Sequence, residues 1–232
     1  MAIKKLPLYM QNEPLTDPKY VDRLRYALDH VGDGMVEIST NCSLLDRTKS
    51  RQIVAAGKNK NLTVILSFHG TRRTDYEEMM GLSYDKSLRN VRQFLEEAQV
   101  GGPQVVVHAY GDEAPIKEFW QTKCGTWGLV RYPRIKVIAY TNRAGNLRGK
   151  YEYQVKDASL KPCTRRTQWL HFNWKGDVIL CCNDYENEVI LGNVMKEKLQ
   201  PIMDGIVPAV VRLAQQDQNF LCRRCDARCI GQ

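Results

Sequence analysis

No stretch of this sequence offers a run of about 18 apolar residues, so a membrane-spanning helix is not expected. The opening segment, MAIKKLPLYM, has neither the apolar stretch nor the small-residue cleavage site of a secretory signal. The expected compartment is therefore the cytoplasm, where thiols are kept reduced. Internal repeats and low-complexity segments are also missing, which argues against a solenoid and against a disordered tail. Basic residues outnumber acidic ones, 34 to 26, for a net charge of +8. They are scattered, in pairs such as Arg72-Arg73 and Arg165-Arg166, with no long basic block and no recognisable nucleic-acid module. A solvated basic surface is the expected reading, and nucleic acid is not an expected partner.

What is present is a chain of 232 residues with ordinary apolar and charged fractions, enough to bury a core. From residue 5 to about 140, short apolar runs alternate with helical stretches. LPLYM reads as a strand, followed by a helical TDPKYVDRLRYALDHV with Thr16 as its cap. MVEIST, LTVILSF, QVVVHAY and RIKVIAY are further strands, separated by LLDRTKSRQIVAAGK, YDKSLRNVRQFLEEAQVGG and APIKEFWQTK. Strands that are nearly all apolar and separated by helices imply a parallel sheet covered on both faces. Five of them point to a βα barrel, complete or partial, with polar residues at the strand ends lining a site. Near Asn142 the pattern becomes polar and glycine-bearing, which places a domain boundary at about 150. The resulting domains are 1–150 and 151–232. In the second, TQWLHFNWKGDVILCC reads as a hairpin with Gly176 in its turn. ILGNV, a helical stretch near 195–216 and the closing LCRRCDARC follow.

Eight cysteines in a reducing compartment suggest metal or catalysis rather than disulfides. Cys42 and Cys124 stand alone, while the other six fall in the last third of the chain. Cys222 and Cys225 form a short chelating bite, with Cys229 four residues beyond. Cys163 precedes the hairpin and Cys181 ends its second strand, so the two can meet at the hairpin's open end. Cys181 and Cys182, as neighbours on a strand, should point to opposite faces, so one of them faces the site. The favoured four-thiolate set is Cys163, Cys181, Cys222 and Cys225, with Cys229 as an alternate. Four thiolates fit a [4Fe–4S] cluster or structural zinc. The wide gap between Cys163 and Cys181 does not resemble the tight second half of a zinc site. Arg223, Arg224 and Arg228 would offset the negative charge of a thiolate-bound cluster.

The segment CTRRTQWLHFNWKGDVILCCNDYENEVILGNV followed by CRRC resembles the SPASM/twitch auxiliary-cluster region of radical SAM enzymes. Cys163, Gly176 and Cys181 stand at the spacing of that family's signature, and the single later CxxC resembles its shorter, one-cluster version. Upstream, YMQNEPLTDP resembles the strand segment that contacts the methionine amino group of S-adenosylmethionine (SAM), which carries Asn12 and Glu13 over as ligands. ISTNCSLLD resembles the third strand of that barrel, whose polar end, Thr40 and Asn41, faces the cavity. VILSFHG resembles the fourth, with Ser67 in a position that meets SAM. His108, after QVVV near a strand end, is a further cavity candidate. The resemblance implies a partial TIM-like barrel followed by a small hairpin-plus-helix iron–sulfur domain. It also implies one auxiliary [4Fe–4S] cluster, SAM as co-substrate, a peptide or small-molecule substrate and an electron-donor protein.

The family's CxxxCxxC motif, which holds the SAM-cleaving cluster, belongs before LPLYM and is not in the sequence. The expectation is a radical SAM-type enzyme chain that binds the auxiliary cluster but does not cleave SAM alone. It would be an incomplete form, a form completed by a partner that supplies the missing segment, or a degenerate relative. Two other readings stay open: a non-catalytic iron–sulfur binding subunit, and a zinc-stabilised protein associated with nucleic acid.

Overall fold

The computed structural model describes residues 2–138, 141, 143–144, 163, 165 and 168–225. The chain divides into two compact units, 1–139 and 140–232.

In the first unit five strands pair in parallel in the order of the chain: β1 (Lys5–Pro7), β2 (Met35–Thr40), β3 (Leu62–Ser67), β4 (Gln104–Ala109) and β5 (Arg134–Val137). Between them run α1 (Tyr20–His30), α2 (Arg47–Gly57), α3 (Arg73–Met80), α4 (Tyr84–Glu97) and α5 (Glu113–Thr126). Parallel strands that follow one another without a change of direction, joined by crossovers of one hand, put every helix on the same side. The core shows this. Val36, Ile38, Val64, Leu66, Val107 and Ala109 pack with Leu24, Ile53, Val91, Phe94, Ile116 and Trp120 from the helices. The alternate residues, Glu37, Ser39, Thr63, Ser67 and His108, occupy the opposite face. The sheet is therefore not apolar on both sides. One face is a packed hydrophobic layer and the other is polar, as in the wall of a partial barrel.

Local chemistry sets the helix starts. Asp46 accepts from the backbone N–H of Lys49 (2.8 Å) to open α2, and Ser83 from that of Lys86 (3.4 Å) to open α4. Thr16 does not cap α1. It lies in a short 3₁₀ turn, Pro14–Thr16, capped by Glu13, and α1 begins four residues later. Asp17, the residue before Pro18, is held extended (φ −79°, ψ 116°), which ends the turn and keeps a helix from running on from Thr16.

The second unit holds an antiparallel sheet of β6 (His171–Phe172), β7 (Asp177–Ile179) and β8 (Ile190–Asn193), followed by α6 (Leu199–Gln216). Gly176, at φ +80°, makes the tight turn between β6 and β7. Ile202, Ile206, Val210 and Ala214 recur every fourth residue along α6 and form its buried stripe. Gly192 admits that stripe to the sheet, because a Cβ there would lie 2.7 Å from Cγ1 of Ile202.

Candidate functional site

In the second unit the terminal cysteines meet the hairpin. Leu180, Cys181, Val189, Ile206, Val210, Phe220 and Leu221 form one buried apolar cluster, and Cys222 and Cys225 pack against it. Burial above all, with smaller contributions from the neighbouring Cys182, Cys222 and Cys225 and against a hydrogen bond from the backbone of Asn183, pushes the Cys181 thiol up to about 12. Three cysteines from two distant segments, Cys181, Cys222 and Cys225, thus share one poorly hydrated environment. A metal centre binding there has to displace the Cys181 proton and supply the positive charge that the pocket lacks.

Neighbouring side chains fix the loops that carry these thiols. Asn183, almost fully buried, donates from Nδ2 to the Cys225 sulfur at 3.7 Å. Such a donor stabilises a thiolate and is the usual outer partner of a sulfur ligand. Asp184, fully buried, accepts from the backbone N–H groups of Glu188 (2.8 Å) and Val189 (3.0 Å) and closes the loop after Cys182. The two arginines inside CRRC act as struts. Arg223 donates to the carbonyl of Ala214 at 2.8 Å, at the end of α6. Arg224 donates to the carbonyls of Ala144 (2.8 Å) and Asn219 (3.1 Å) and pairs with Glu188. Their first task is to hold Cys222 and Cys225 in place, a role that charge counting in the sequence does not reveal.

The other cysteines divide. The strand carrying Cys181 ends at Ile179, so Cys181 and Cys182 lie in the turn beyond it, where the N–H of Asp184 bonds to the Cys181 carbonyl at 3.0 Å. Strand alternation therefore does not turn Cys182 away, and its charge acts on Cys181. Cys163 is half-buried. Cys229 and Arg228 lie outside the described residues. Cys42 and Cys124 are fully buried packing residues of the first unit, and burial pushes the pKa of both thiols up. Among the described residues, no three His, Cys, Asp or Glu side chains stand close enough to hold a single metal ion.

The first unit carries the second group of candidates, at the carboxyl ends of its strands. Glu13 is anchored to its own chain, with one lone pair of Oε2 left over. Its carboxylate accepts from the N–H of Leu15 (3.1 Å), the hydroxyl of Thr40 (2.8 Å) and the N–H of Asn41 (2.7 Å). Thr40 in turn accepts from the N–H of Cys42 at 3.1 Å, and it is buried on the helix side of β2 rather than facing a cavity. Asn41 accepts from the N–H (3.0 Å) and hydroxyl (2.7 Å) of Ser43. Asn12 is exposed and accepts from the N–H of Met10 at 3.4 Å.

Ser67 and His108 are register partners on the polar face. The Ser67 hydroxyl is 3.2 Å from that of Ser39. His108 is paired in register with Lys136. Burial, and then the Lys136 charge, pull its pKa down to about 4, with Glu37 opposing and Lys5 adding to the fall, so the ring is neutral at pH 7. Deeper on the same face, Glu37 is 7% exposed, ion-paired with Lys5 at 2.7 Å and accepting from the Tyr9 hydroxyl at 2.7 Å. Sequence reading missed this Lys5–Glu37–Tyr9 group. The signal was the alternation in MVEIST, which places Glu37 opposite Val36 and Ile38.

Residues 163–226 match the SPASM family, an iron–sulfur cluster-binding domain. No curated protein matches the sequence. Among solved structures, the chain is similar to SuiB of Streptococcus suis bound to precursor peptide SuiA. The TM-score is 0.61 at 15% identity, over 86% of this chain and 53% of that one. SuiB bound to S-adenosylmethionine matches with a TM-score of 0.52 at 12% identity, over 87% of this chain and 56% of that one. The chain thus spans about half the length of the solved chains it resembles. At these identities the likeness establishes fold alone: the parallel α/β sheet and the unit that follows it share the fold of the SuiB structures, and residues 163–226 match an iron–sulfur cluster-binding domain.

Proposed function

We propose that this chain is an iron–sulfur protein of the radical SAM class whose second unit holds one auxiliary [4Fe–4S] cluster, and that it serves the SAM-dependent radical modification of a peptide. Cys181, Cys222 and Cys225 are three of the ligands, and Cys163 is the fourth, with Cys182 its competitor. The observation that carries the reading is the convergence of the CRRC thiols on Cys181 inside a buried apolar cluster, within the segment that matches an iron–sulfur domain. When bound, such a cluster supplies one-electron redox capacity or a substrate ligation point.

The chain's own residues do the rest. Asn183 donates to the Cys225 sulfur and Arg224 fixes the terminal loop. Leu180, Phe220 and Leu221 exclude water, which strengthens each of these interactions. In the first unit, Asn12, Glu13, Asn41, Ser67 and His108, at the carboxyl ends of the strands, are the residues that would hold SAM. Glu13, already holding Leu15, Thr40 and Asn41, would have one lone pair of Oε2 left to accept from the SAM amino group. His108, neutral, accepts or donates a hydrogen bond without adding charge. The SAM-cleaving cluster requires a CxxxCxxC loop, which these 232 residues do not contain. On this reading it comes from adjoining sequence or a partner chain. A peptide substrate draws support from the SuiA-bound structure, whose fold this chain shares.

The test is anaerobic purification and reconstitution, followed by iron and sulfide analysis. The expected result is about four irons per chain. Cys181→Ala, Cys222→Ala and Cys225→Ala should each lose most of that iron. Comparing Cys163→Ala with Cys182→Ala identifies the fourth ligand. Zinc without iron, or iron unchanged in both Cys181→Ala and Cys222→Ala, would overturn the proposal.

A further inference from the structure

The second unit exposes large apolar side chains where a small domain usually hides them. Trp174 is 89% exposed, Met195 80% and Phe172 41%. Phe172 and Met195 line a shallow, open groove of about 680 Å³ near β6 and the start of α6, together with Val194, Leu199, Lys196, Glu197 and Lys198. Apolar groups collected along a groove and rimmed by charge mark a binding surface rather than scattered exposure. The rim has a sign. Lys196 and Lys198 stand on it, and Lys175 lies over the Trp174 ring at 5.2 Å from its centroid. Two carboxylates lie among them: Glu197, which accepts from the backbone N–H of Asn193 at 3.2 Å, and Asp177, which accepts from Asn173 (3.0 Å) and Asn193 (2.7 Å) and sits within the field of Lys175 and Lys196, so the lysines outnumber them three to two.

We propose that this groove docks an acidic peptide segment bearing apolar side chains: carboxylates meet the three lysines while Leu or Phe side chains enter between Phe172, Met195 and Leu199. Charge complementarity selects this occupant. A second copy of the chain would bring the same lysines against each other. β6 also forms an edge of its sheet among the described residues, so an extended segment can run alongside it. The proposal concerns binding by the second unit and does not depend on which group the cysteines hold.

The probe is a fluorescein-labelled dodecapeptide of alternating Glu with Leu and Phe, titrated by fluorescence anisotropy into the full chain. Iron content and far-UV dichroism are recorded on every sample, so a failure of the cluster assignment is read separately. Saturable binding is expected. Met195→Glu and the Lys196→Glu/Lys198→Glu pair should each weaken it at least tenfold, with unchanged dichroism, since all three side chains are exposed. A matching peptide with Lys in place of Glu should not bind. Binding that survives both variants overturns the proposal. So does a preference for anionic phosphatidylserine vesicles or oligouridine over the acidic peptide, or self-association abolished by Met195→Glu.

Discussion

His108 shows how one side chain reports on the wall in which it sits. Its strand neighbours Val107 and Ala109 face the helices, so its ring must point to the polar face, half-buried beside Lys136 of β5 and within the field of Glu37 and Lys5. Burial and Lys136 hold its pKa near 4, below the ordinary value of 6.5. In the unfolded chain the ring takes a proton near pH 6.5, while in the folded protein it stays neutral until about pH 4. The unfolded state therefore binds more protons between these values, and stability falls as pH drops through that window. Asp46, whose pKa is lowered chiefly by the Lys49 N–H, and Glu97, lowered chiefly by Arg51, lose their contributions only at more acid pH. Urea midpoints measured from pH 7 to 4.5 should decline less steeply in His108→Gln than in the parent. Parallel declines would remove His108 from the account. The cysteines make the complementary point. The hairpin and the clustering of thiols grouped Cys222 and Cys225 with Cys163 and Cys181, but the work of Arg223 and Arg224 was hidden, because a side chain's hydrogen-bond partner depends on tertiary placement.

At the level of elements, the strongest constraint in the second unit is the approach of α6 to β8. Gly192 allows it: a Cβ there would fall 2.7 Å from Ile202 and 2.9 Å from the Glu197 carboxylate. Gly192→Val should destabilise this unit by about 1–3 kcal/mol through overpacking. The denaturation midpoint should fall with little change in slope, and an unchanged midpoint would mean that the helix seats elsewhere. The order of elements in the first unit was readable because each strand is a short β-branched or aliphatic run and the long helices carry an apolar stripe, with Asp46 and Ser83 capping α2 and α4. α3 was missed. It is eight residues long with one buried side chain, Tyr76, too little periodicity to stand out. The polar face was missed for a different reason. A strand such as LTVILS is apolar at nearly every position, so only the register with Ser39 and His108 shows which side Ser67 belongs to.

Across the whole chain the two units differ in how much they can rely on burial. Among the described residues the buried cluster of the first holds twenty-six side chains, while that of the second around the cysteines holds nine, one of them Cys181. A small domain is close to marginal stability, and bound metal is one of the usual ways to stabilise it. The cluster proposed for Cys181, Cys222 and Cys225 would tie the terminal loop to the hairpin, so its binding free energy becomes folding free energy for the second unit. No cysteine of that set belongs to the core of the first unit. Calorimetry of the reconstituted protein before and after anaerobic chelation should therefore show two transitions, of which one moves down on iron removal and the other stays fixed. Limited proteolysis of the chelated form should cut within 140–232 and spare the sheet of β1 to β5. A single transition that shifts as a whole would mean that the units unfold together, and a pair of transitions indifferent to iron would mean that the thiols carry no structural cluster. Both outcomes are decided in the same scan, since the parent and the chelated protein differ only in the occupant of the sulfur site.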